Sequence, residues 1–343
     1  MEGQPIGRLQ QVVRDLPPNI FAMVMATGIV SLAAHGAGYE SIAYSLFVLN
    51  ILIYVVLLGL VAFRTAAFRS LLLLDFTSHA KAPGFFTMVA APCVLGNQFV
   101  ILGKLPVVGL VLLLIGVIFW LGFTYFMLPG LITAEQKPPP EKGLSGAWLL
   151  LVVGTEAVSV LTCLLVPFLP SSEEWLLLIA LIFWLVGSMI YLWLIAIIFH
   201  RIVFLPLSPG DLTPPYWINM GAMAIATLAG ARLVQEAGRF TLLTELLPFL
   251  KGMTLLFWAT ATWWIPVLLV LGFWRHVSQR VSLRYDHGYW AAVFPLGMYT
   301  VCTQNLIRIF GLPFLELIPA CFVWIAIAAW CLAYFGFTKQ FFR

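Results

Sequence analysis

Residues 109–118 read GLVLLLIGVI, and residues 176–186 read LLLIALIFWLV. Neither stretch contains a charged side chain, and each belongs to a longer apolar run. A helix needs about 20 mostly apolar residues to cross the hydrocarbon core of a bilayer. The strands of a membrane barrel would instead alternate apolar and polar residues, which these stretches do not do. The pattern therefore predicts membrane-spanning α-helices.

The composition of the whole chain agrees with this prediction. Of the 343 residues, 62% are hydrophobic and only 9% are charged, whereas soluble proteins carry about 25% charged residues. So few charges cannot cover a water-facing surface, which excludes a soluble enzyme and a nucleic-acid-binding protein. The five cysteines lie in apolar runs without a Cys-x-x-Cys pair, so we expect no disulfide framework, no metal site and no cofactor.

Ten segments are long and apolar enough to be candidate spans, and they predict an all-α integral membrane protein. They would form one transmembrane domain over residues 18–337, between an N-terminal segment (1–17) and a C-terminal tail (338–343). The predicted spans are 18–36, 42–63, 83–103, 106–133, 147–169, 175–205, 215–235, 246–274, 288–310 and 315–337.

The basic residues orient the predicted spans, because Lys and Arg concentrate in cytoplasmic loops of membrane proteins. Ten crossings place 13 of the 18 basic residues on one side of the membrane and 5 on the other. The smaller group comprises Lys104, Arg232, Arg239, Lys251 and Arg308. We therefore predict a multi-pass protein of the cell (inner or plasma) membrane with both termini in the cytoplasm. His200 and Arg201, at the end of the sixth span, are interpreted as anchors at the cytoplasmic interface.

The odd-numbered spans share a common beginning, in which a helix breaker precedes an aromatic residue. The five starts are Pro18-Asn19-Ile20-Phe21, Pro83-Gly84-Phe85, Gly146-Ala147-Trp148, Pro215-Tyr216 and Gly288-Tyr289. This spacing predicts five parallel-repeated helical hairpins, with the odd helices in an inner ring around a pore. Chance similarity is the alternative, because Pro is common at helix starts and Trp at membrane interfaces.

Two segments carry a resemblance to a known family. Residues 289–298 read YWAAVFPLGM, and residues 18–28 read PNIFAMVMATG. With the ten spans, they resemble the bacterial TehA proteins and the plant slow-type anion channels of the tellurite-resistance/dicarboxylate transporter family. That family also includes fungal malate permeases and sulfite exporters. The resemblance covers residues 18–337 and implies a homotrimer with a separate pore in each subunit.

The resemblance also implies that a phenylalanine of the ninth helix plugs the pore, and by motif position this residue is Phe294. From the residues alone, Phe294 could equally be packed between helices. Small, short or kinking residues at a similar depth are the pore-lining candidates. They are Met25, Thr27, Gly28, Ala90, Pro92, Val152, Gly154, Gly221, Pro295 and Gly297.

Polar residues inside the predicted spans are the remaining candidates for function. Glu156 lies near the middle of the fifth span, where a carboxyl costs about 2.5 kcal/mol or more. Three interpretations stay open for Glu156: a proton-coupling group, a structural carboxyl bonded to a neighbouring helix, or a member of an ion pair. Arg232 and Arg308 are candidates for positive charge at the outer mouth. The threonines Thr27, Thr155, Thr300 and Thr303 could bond an anion or their own helix.

Two functions follow as hypotheses. The first is a gated anion channel whose pore is closed by the Phe plug. The second is a proton-coupled carrier or exporter of small anions such as four-carbon dicarboxylates, sulfite or tellurite, which Glu156 favours. We expect no catalytic residues and no enzymatic activity, because the histidines lie at helix ends or in loops and no catalytic motif occurs. The expected partners are small inorganic or carboxylate anions and the lipid bilayer.

Overall fold

The computed structural model describes residues 7–283 and 285–341, and the regular secondary structure within these ranges is helical throughout. The predicted terminal segments 1–17 and 338–343 lie partly outside the described residues. Arg284 and Arg343, two of the basic residues used to orient the chain, also lie outside them.

Ten helices of the described residues are 15 residues or longer, and we number them in chain order. They are α1 (Ala22–Gly36), α2 (Glu40–Ala67), α3 (Thr87–Ile101), α4 (Pro106–Gly122), α5 (Leu150–Leu165), α6 (Glu173–Phe204), α7 (Ile218–Glu236), α8 (Leu247–Phe273), α9 (Trp290–Phe310) and α10 (Leu317–Phe341). Shorter helices include Arg8–Arg14, Arg69–Phe76 and Thr241–Glu245.

Eight helices of the described chain are long and apolar enough to cross a membrane, and α1 and α9 are not among them. The eight spans include adjoining 3-10 and π turns, so that α3 counts as Ala82–Ile101 with 20 residues. The helix α1 has 15 residues and would be about 22 Å long at 1.5 Å per residue, which is short of the hydrocarbon core. The helix α9 has 21 residues, but Gln304, Asn305 and Arg308 near its end lower its hydropathy. The prediction of ten spans is therefore met at eight positions by length and composition.

The odd-numbered helices all begin at the same end of the bundle. A 3-10 turn precedes α3, α5, α7 and α9, and these turns contact one another in chain order. Gly84, in the first of these turns, lies against Pro18 and Asn19, which precede α1. We call this end of the bundle the starting face. Proline suits these turns because its fixed φ fits a helix start and its missing N–H would have no helical partner there.

The five odd helices close into a ring, because α1 packs against α3, α3 against α5, α5 against α7, α7 against α9, and α9 against α1. Each even helix packs outside this ring, against the odd helices before and after it, and α10 packs against α9 and α1. The most apolar windows of α3, α5 and α7 are 83–94% buried, whereas those of α2, α4, α6, α8 and α10 are 22–33% buried. The even helices therefore present most of their apolar surface outward, as a bilayer requires.

Polar contacts join the outer helices to the ring. Four outer tryptophans donate their indole N–H to the next odd helix: Trp120 to Thr155 Oγ1, Trp184 to the Ala226 carbonyl, Trp258 to Thr303 Oγ1 and Trp330 to Thr27 Oγ1. On α2, Asn50 bonds to Gln98 of α3 instead. A buried indole N–H needs an acceptor, so these bonds orient each outer helix relative to the ring.

Candidate functional site

A cavity of about 790 Å³ opens at the starting face, and we call it the vestibule. Its lining includes one or more residues that precede or begin each odd helix: Asn19, Gly84, Ala147, Pro215 and Gly288. A cavity that touches all five members of a ring lies on the axis of that ring. The first turns of the five helices therefore surround the vestibule.

The positive ends of five helices converge on this cavity. A helix N-terminus carries an effective charge of roughly +0.5, because its first N–H groups have no helical partner. Two of these starts are capped within the chain, since Ser145 Oγ accepts from the Ala147 N–H and Asp286 Oδ1 accepts from the Gly288 N–H. The summed field of the helices still favours an anion at the starting face.

A buried ion-pair cluster stands beside the vestibule. Asp75 accepts from Arg64 at 2.6 Å and from Lys81 at 2.7 Å, and Arg64 Nε donates to the Arg14 carbonyl at 3.3 Å. Burial raises the pKa of Asp75, but the hydrogen bonds and charges of Lys81 and Arg64 outweigh it and lower that pKa below its ordinary value. The cluster ties the helix Arg8–Arg14 and the helix Arg69–Phe76 to the end of α2.

Arg201 also lines the vestibule, and the structure corrects its interpretation as an interface anchor. Its side chain is only 3% exposed and bonds to the Tyr216 hydroxyl and, at 2.8 Å, to the Glu141 carbonyl. The sequence analysis missed this inward orientation, because a basic residue at the end of a span most often extends to the water. His200, its neighbour, is exposed.

Phe294 is buried in α9, with 2% of its surface exposed. Met25, Ala90 and Val152, which were predicted to lie at its depth, are buried as well. Val152 precedes Glu156 by one helical turn and shares its side of α5, and that side faces α6. Pore lining by Met25, Ala90 and Val152 stays a prediction.

The other seven predicted pore-lining residues contact neighbouring helices. The contacts are Thr27 with α10, Gly28 with α2 and α3, Pro92 with α4, Gly154 with α3, Gly221 with α9, Pro295 with α7 and Gly297 with α1. Small residues allow helix backbones to approach closely, so these positions serve helix packing, and their lining of a pore stays a prediction. The sequence could not separate the two roles, because a narrow pore and a close helix contact favour the same residue types.

Glu156 faces outward from the ring. It is fully buried, and a Cβ atom built on Gly187 of α6 would lie 2.8 Å from its Cδ. Neither carboxyl oxygen has a hydrogen-bond or ion-pair partner among the described residues. The described residues therefore provide neither the ion pair nor the interhelical hydrogen bond that two of the three interpretations required.

The two arginines predicted for the outer mouth are found near the far ends of α7 and α9. Arg232 is partly buried and bonds to Gln235 of its own helix, whereas Arg308 is exposed and lines a second cavity of about 300 Å³. Their guanidinium groups are close enough to repel each other. Both lie at the end of the bundle opposite the vestibule.

The threonines bond within the protein. Thr155 and Thr303 donate to carbonyls of their own helices and accept from outer tryptophans, Thr300 donates to Leu296, and Thr27 accepts from Trp330. Of the two alternatives left open by the sequence, the bond to the residue's own helix is observed for Thr155, Thr300 and Thr303, whereas Thr27 bonds to α10. The tryptophans that hold these threonines were not singled out by the sequence analysis. Their recurrence in four even helices, at intervals similar to those of the odd-helix starts, was the available signal.

Comparison with known proteins agrees with the geometry. Residues 15–338 match the family model described as voltage-dependent anion channel, SLAC1. Two uncharacterised transporters of Methanocaldococcus jannaschii are 25% and 22% identical over 96% and 94% of this chain, and over 94% of each relative. An uncharacterised membrane protein of Mycobacterium tuberculosis is 41% identical over 140 residues, which are 40% of this chain and 70% of that protein.

The family match confirms the resemblance carried by the first and ninth helices. It also agrees with the coarse features of the structure, which are the all-helical membrane bundle and a cavity at one end of the helix ring. The chain therefore belongs to the voltage-dependent anion channel (SLAC1) family of membrane anion channels and transporters.

Proposed function

We propose that this protein is a gated anion channel whose pore follows the axis of the α1–α3–α5–α7–α9 ring and is closed by Phe294. One observation carries the proposal: a vestibule lined by residues of all five odd-helix starts leads to a ring interior whose side chains are buried. A narrow apolar constriction can stop ions by dewetting, without a charged gate. The buried ring interior fits the closed state of such a channel.

The orientation of α9 supports the role of Phe294. Pro295 faces α7, Gly297 faces α1, and the Tyr299 hydroxyl bonds to Thr262 of the outer helix α8. Successive residues of a helix are rotated by about 100° around its axis. Phe294 therefore points roughly 140° away from Tyr299, and it lies between the side of α9 that faces α7 and the side that faces α1. That direction leads to the axis of the ring.

The electrostatics support an anion as the permeant species. Five helix N-termini surround the vestibule, and Arg232 and Arg308 lie at the opposite end. The residues that line the vestibule include five acidic and five basic side chains, so the helix N-termini at one end and the two arginines at the other are the features that favour anions. Glu156, the one carboxyl deep within the odd helices of the described chain, faces α6 instead of the axis.

The architecture that we propose has ten spanning helices in five parallel hairpins. The helices α1 and α9 are enclosed by neighbours on several sides, so they can cross the bilayer without being long and apolar. The starting face would be cytoplasmic, because most basic residues lie there, and both termini would be on that side. The membrane would be the cell (inner or plasma) membrane, and the assembly a homotrimer with one pore per subunit.

A proton-coupled carrier or exporter of small anions is the second candidate. The observation in its favour is Glu156, a fully buried carboxyl without a protein partner. Dicarboxylates, sulfite and tellurite are the anions that this function would move. In such a carrier, Glu156→Gln would abolish the dependence of flux on a pH gradient while the protein stays folded.

Reconstitution into liposomes tests the proposal. Reversal potentials would be measured under separate gradients of nitrate, chloride, malate and protons, for the wild type and for Glu156→Gln. We expect a Nernst response to the anion gradient that is the same at every proton gradient and in both proteins. A wild-type flux driven by the proton gradient and lost in Glu156→Gln would select the carrier instead. Absence of any anion flux from well-folded protein would reject both candidates.

A further inference from the structure

The guanidinium of Arg201 differs from the other basic groups that line the vestibule, because those groups are ion-paired or, in the case of Lys142, exposed. Arg64 and Lys81 are paired with Asp75, and Arg14 is paired with Asp15. Among the described residues, Arg201 has no carboxylate within ion-pair distance. Its bonds go to two neutral oxygens, the Tyr216 hydroxyl and the Glu141 carbonyl.

The nearest acidic influence on Arg201 comes from Asp211, which also lines the vestibule. The Asp211 carboxylate is held by the backbone and hydroxyl of Ser208, both at 2.9 Å. Hydrogen bonds from Ser208 lower the pKa of Asp211 first, and the charge of Arg201 contributes last. Asp211 is partly exposed, so water screens part of its charge. Arg201 is therefore a buried cation without an ion-pair partner among the described residues.

Arg201 also retains unused hydrogen-bond donors. A guanidinium carries five N–H groups, and two of them are used by Tyr216 and Glu141. The Nε–H is buried and has no partner among the described residues. Nη1 and Nη2 each use one N–H, for Tyr216 and Glu141, and each keeps a second. Because the Nε–H has almost no accessible surface, the remaining η N–H groups are the donors left for an anion in the vestibule.

We propose that Arg201 is the anion-binding residue of the vestibule and that it selects planar oxyanions, such as nitrate and carboxylates, over halides. The inference rests on the proposed function, because it places this site at the entrance of the anion pathway. A planar guanidinium fork matches two coplanar oxygens, whereas a halide offers one centre. Tyr216 and Glu141 hold the fork at the wall of the cavity and leave its remaining donors for the anion.

The variants separate charge from geometry. Arg201→Lys keeps the positive charge and removes the planar fork, and Arg201→Gln removes the charge. Lys142→Gln is the matched control, because Lys142 is an exposed cation that lines the same cavity. Binding would be measured in the absence of transport. The readout is the excess line width that purified protein adds to the chloride NMR signal, and the loss of this excess when nitrate or formate displaces the chloride.

We expect nitrate to displace chloride from the wild type and from Lys142→Gln at the same concentration. Arg201→Lys should retain the chloride line broadening and need about tenfold more nitrate, since a hydrogen bond to a charged group contributes about 1.5–3 kcal/mol. Arg201→Gln should lose the chloride broadening. Equal displacement in the wild type and both Arg201 variants would overturn the proposal.

A measurement on the wild type keeps the proposal testable if the Arg201 variants do not fold. Crystals grown with 3-bromopropionate should show the anomalous bromine signal beside the Arg201 guanidinium, and a vestibule without this signal would overturn the site. If nitrate displaces chloride in an Arg201-dependent way but the protein passes no anion across liposome membranes, the binding site is supported and the channel function is rejected.

Discussion

The carboxyl group of Glu156 on α5 is packed directly against Gly187 on α6. A Cβ atom built on Gly187 would lie 2.8 Å from Glu156 Cδ and 3.1 Å from Glu156 Cγ. Atoms at such distances overlap, so only glycine leaves room for the carboxyl. This contact directs Glu156 away from the axis of the ring, and it explains how an acidic residue can lie in the wall of the proposed anion pathway.

The pair predicts a specific coupling between two substitutions. Gly187→Ala forces the new methyl group into the carboxyl and should destabilise the protein by about 1–3 kcal/mol, as overpacking does. Glu156→Ala vacates that space, so adding Gly187→Ala to it should cost little. Thermal unfolding of the four proteins in detergent measures the coupling free energy.

Gly59→Ala is the control for this cycle, because a Cβ at Gly59 of α2 meets no atom within 4 Å. It should leave the unfolding temperature nearly unchanged in both the wild type and Glu156→Ala. If Gly187→Ala were equally destabilising with and without the Glu156 side chain, the two residues would not be in contact.

The gate is tested by Phe294→Ala. If the Phe294 ring closes the axis, its removal opens a path, and anion conductance should rise substantially. The preference for anions over cations should persist, because the substitution leaves the helix N-termini at the vestibule unchanged. Electrical recording of purified protein in planar bilayers measures both quantities.

Phe257→Ala is the matched control for the gate. Phe257 is also buried, and its ring packs edge-on against Trp184 in the outer layer, with 5.7 Å between the ring centroids. Its truncation should cost about 3–5 kcal/mol of packing without raising the current. A folded Phe294→Ala protein with wild-type conductance would show that Phe294 is another packing residue.

The Asp75 cluster predicts a pH-dependent contribution to stability. The pKa of Asp75 is lower in the folded protein than in the unfolded chain, where it is about 3.9. Its stabilising contribution is therefore present above that pH and is lost as the pH falls through the folded pKa. Asp75→Asn should cost about 3 kcal/mol at pH 7, because it leaves Arg64 buried without its partner.

The difference between wild type and Asp75→Asn should shrink as the pH falls from the unfolded pKa through the lower folded pKa of Asp75, as followed by thermal unfolding across a pH series. The exposed pair of Asp15 with Arg14 provides the comparison, and Asp15→Asn should cost less than about 1 kcal/mol at any pH. A constant difference between wild type and Asp75→Asn down to pH 2 would contradict the assigned pKa direction.

The orientation of the helices predicts opposite accessibility for two loop positions. Ser171 precedes α6 and Gln279 follows α8, and both are exposed. In a background where the exposed Cys321 and Cys331 are replaced by serine, Ser171→Cys should react with an impermeant reagent from outside the cell. Gln279→Cys should react only after the membrane is opened, and labelling of both from one side would refute the topology.

The assembly is predicted to be a trimer. The even helices expose broad apolar faces, and subunits can associate through them while each keeps its own axis. Native mass spectrometry from mild detergent should show three copies of the chain. A distribution limited to monomers and dimers would contradict the trimer.

The chain's local patterns predicted the helical membrane class, the places of the helices and the family. The runs near 109–118 and 176–186 are continuous, so composition and length were enough to locate the helices that carry them. The same continuity hides which side of a helix faces inward. Thr27 and Gly154 were predicted to line a pore for this reason, although they contact α10 and α3.

The sequence by itself determined which segments lie in lipid and which in water. The free energy of transferring a segment from water to lipid depends on residues that are adjacent in the chain. The direction of each polar side chain was decided by tertiary structure. Thr27 accepts from Trp330, Glu156 fills the space left by Gly187, and Arg201 turns inward to Tyr216. Each partner belongs to another helix, and a buried polar group is oriented by the partner that the packed bundle brings to it.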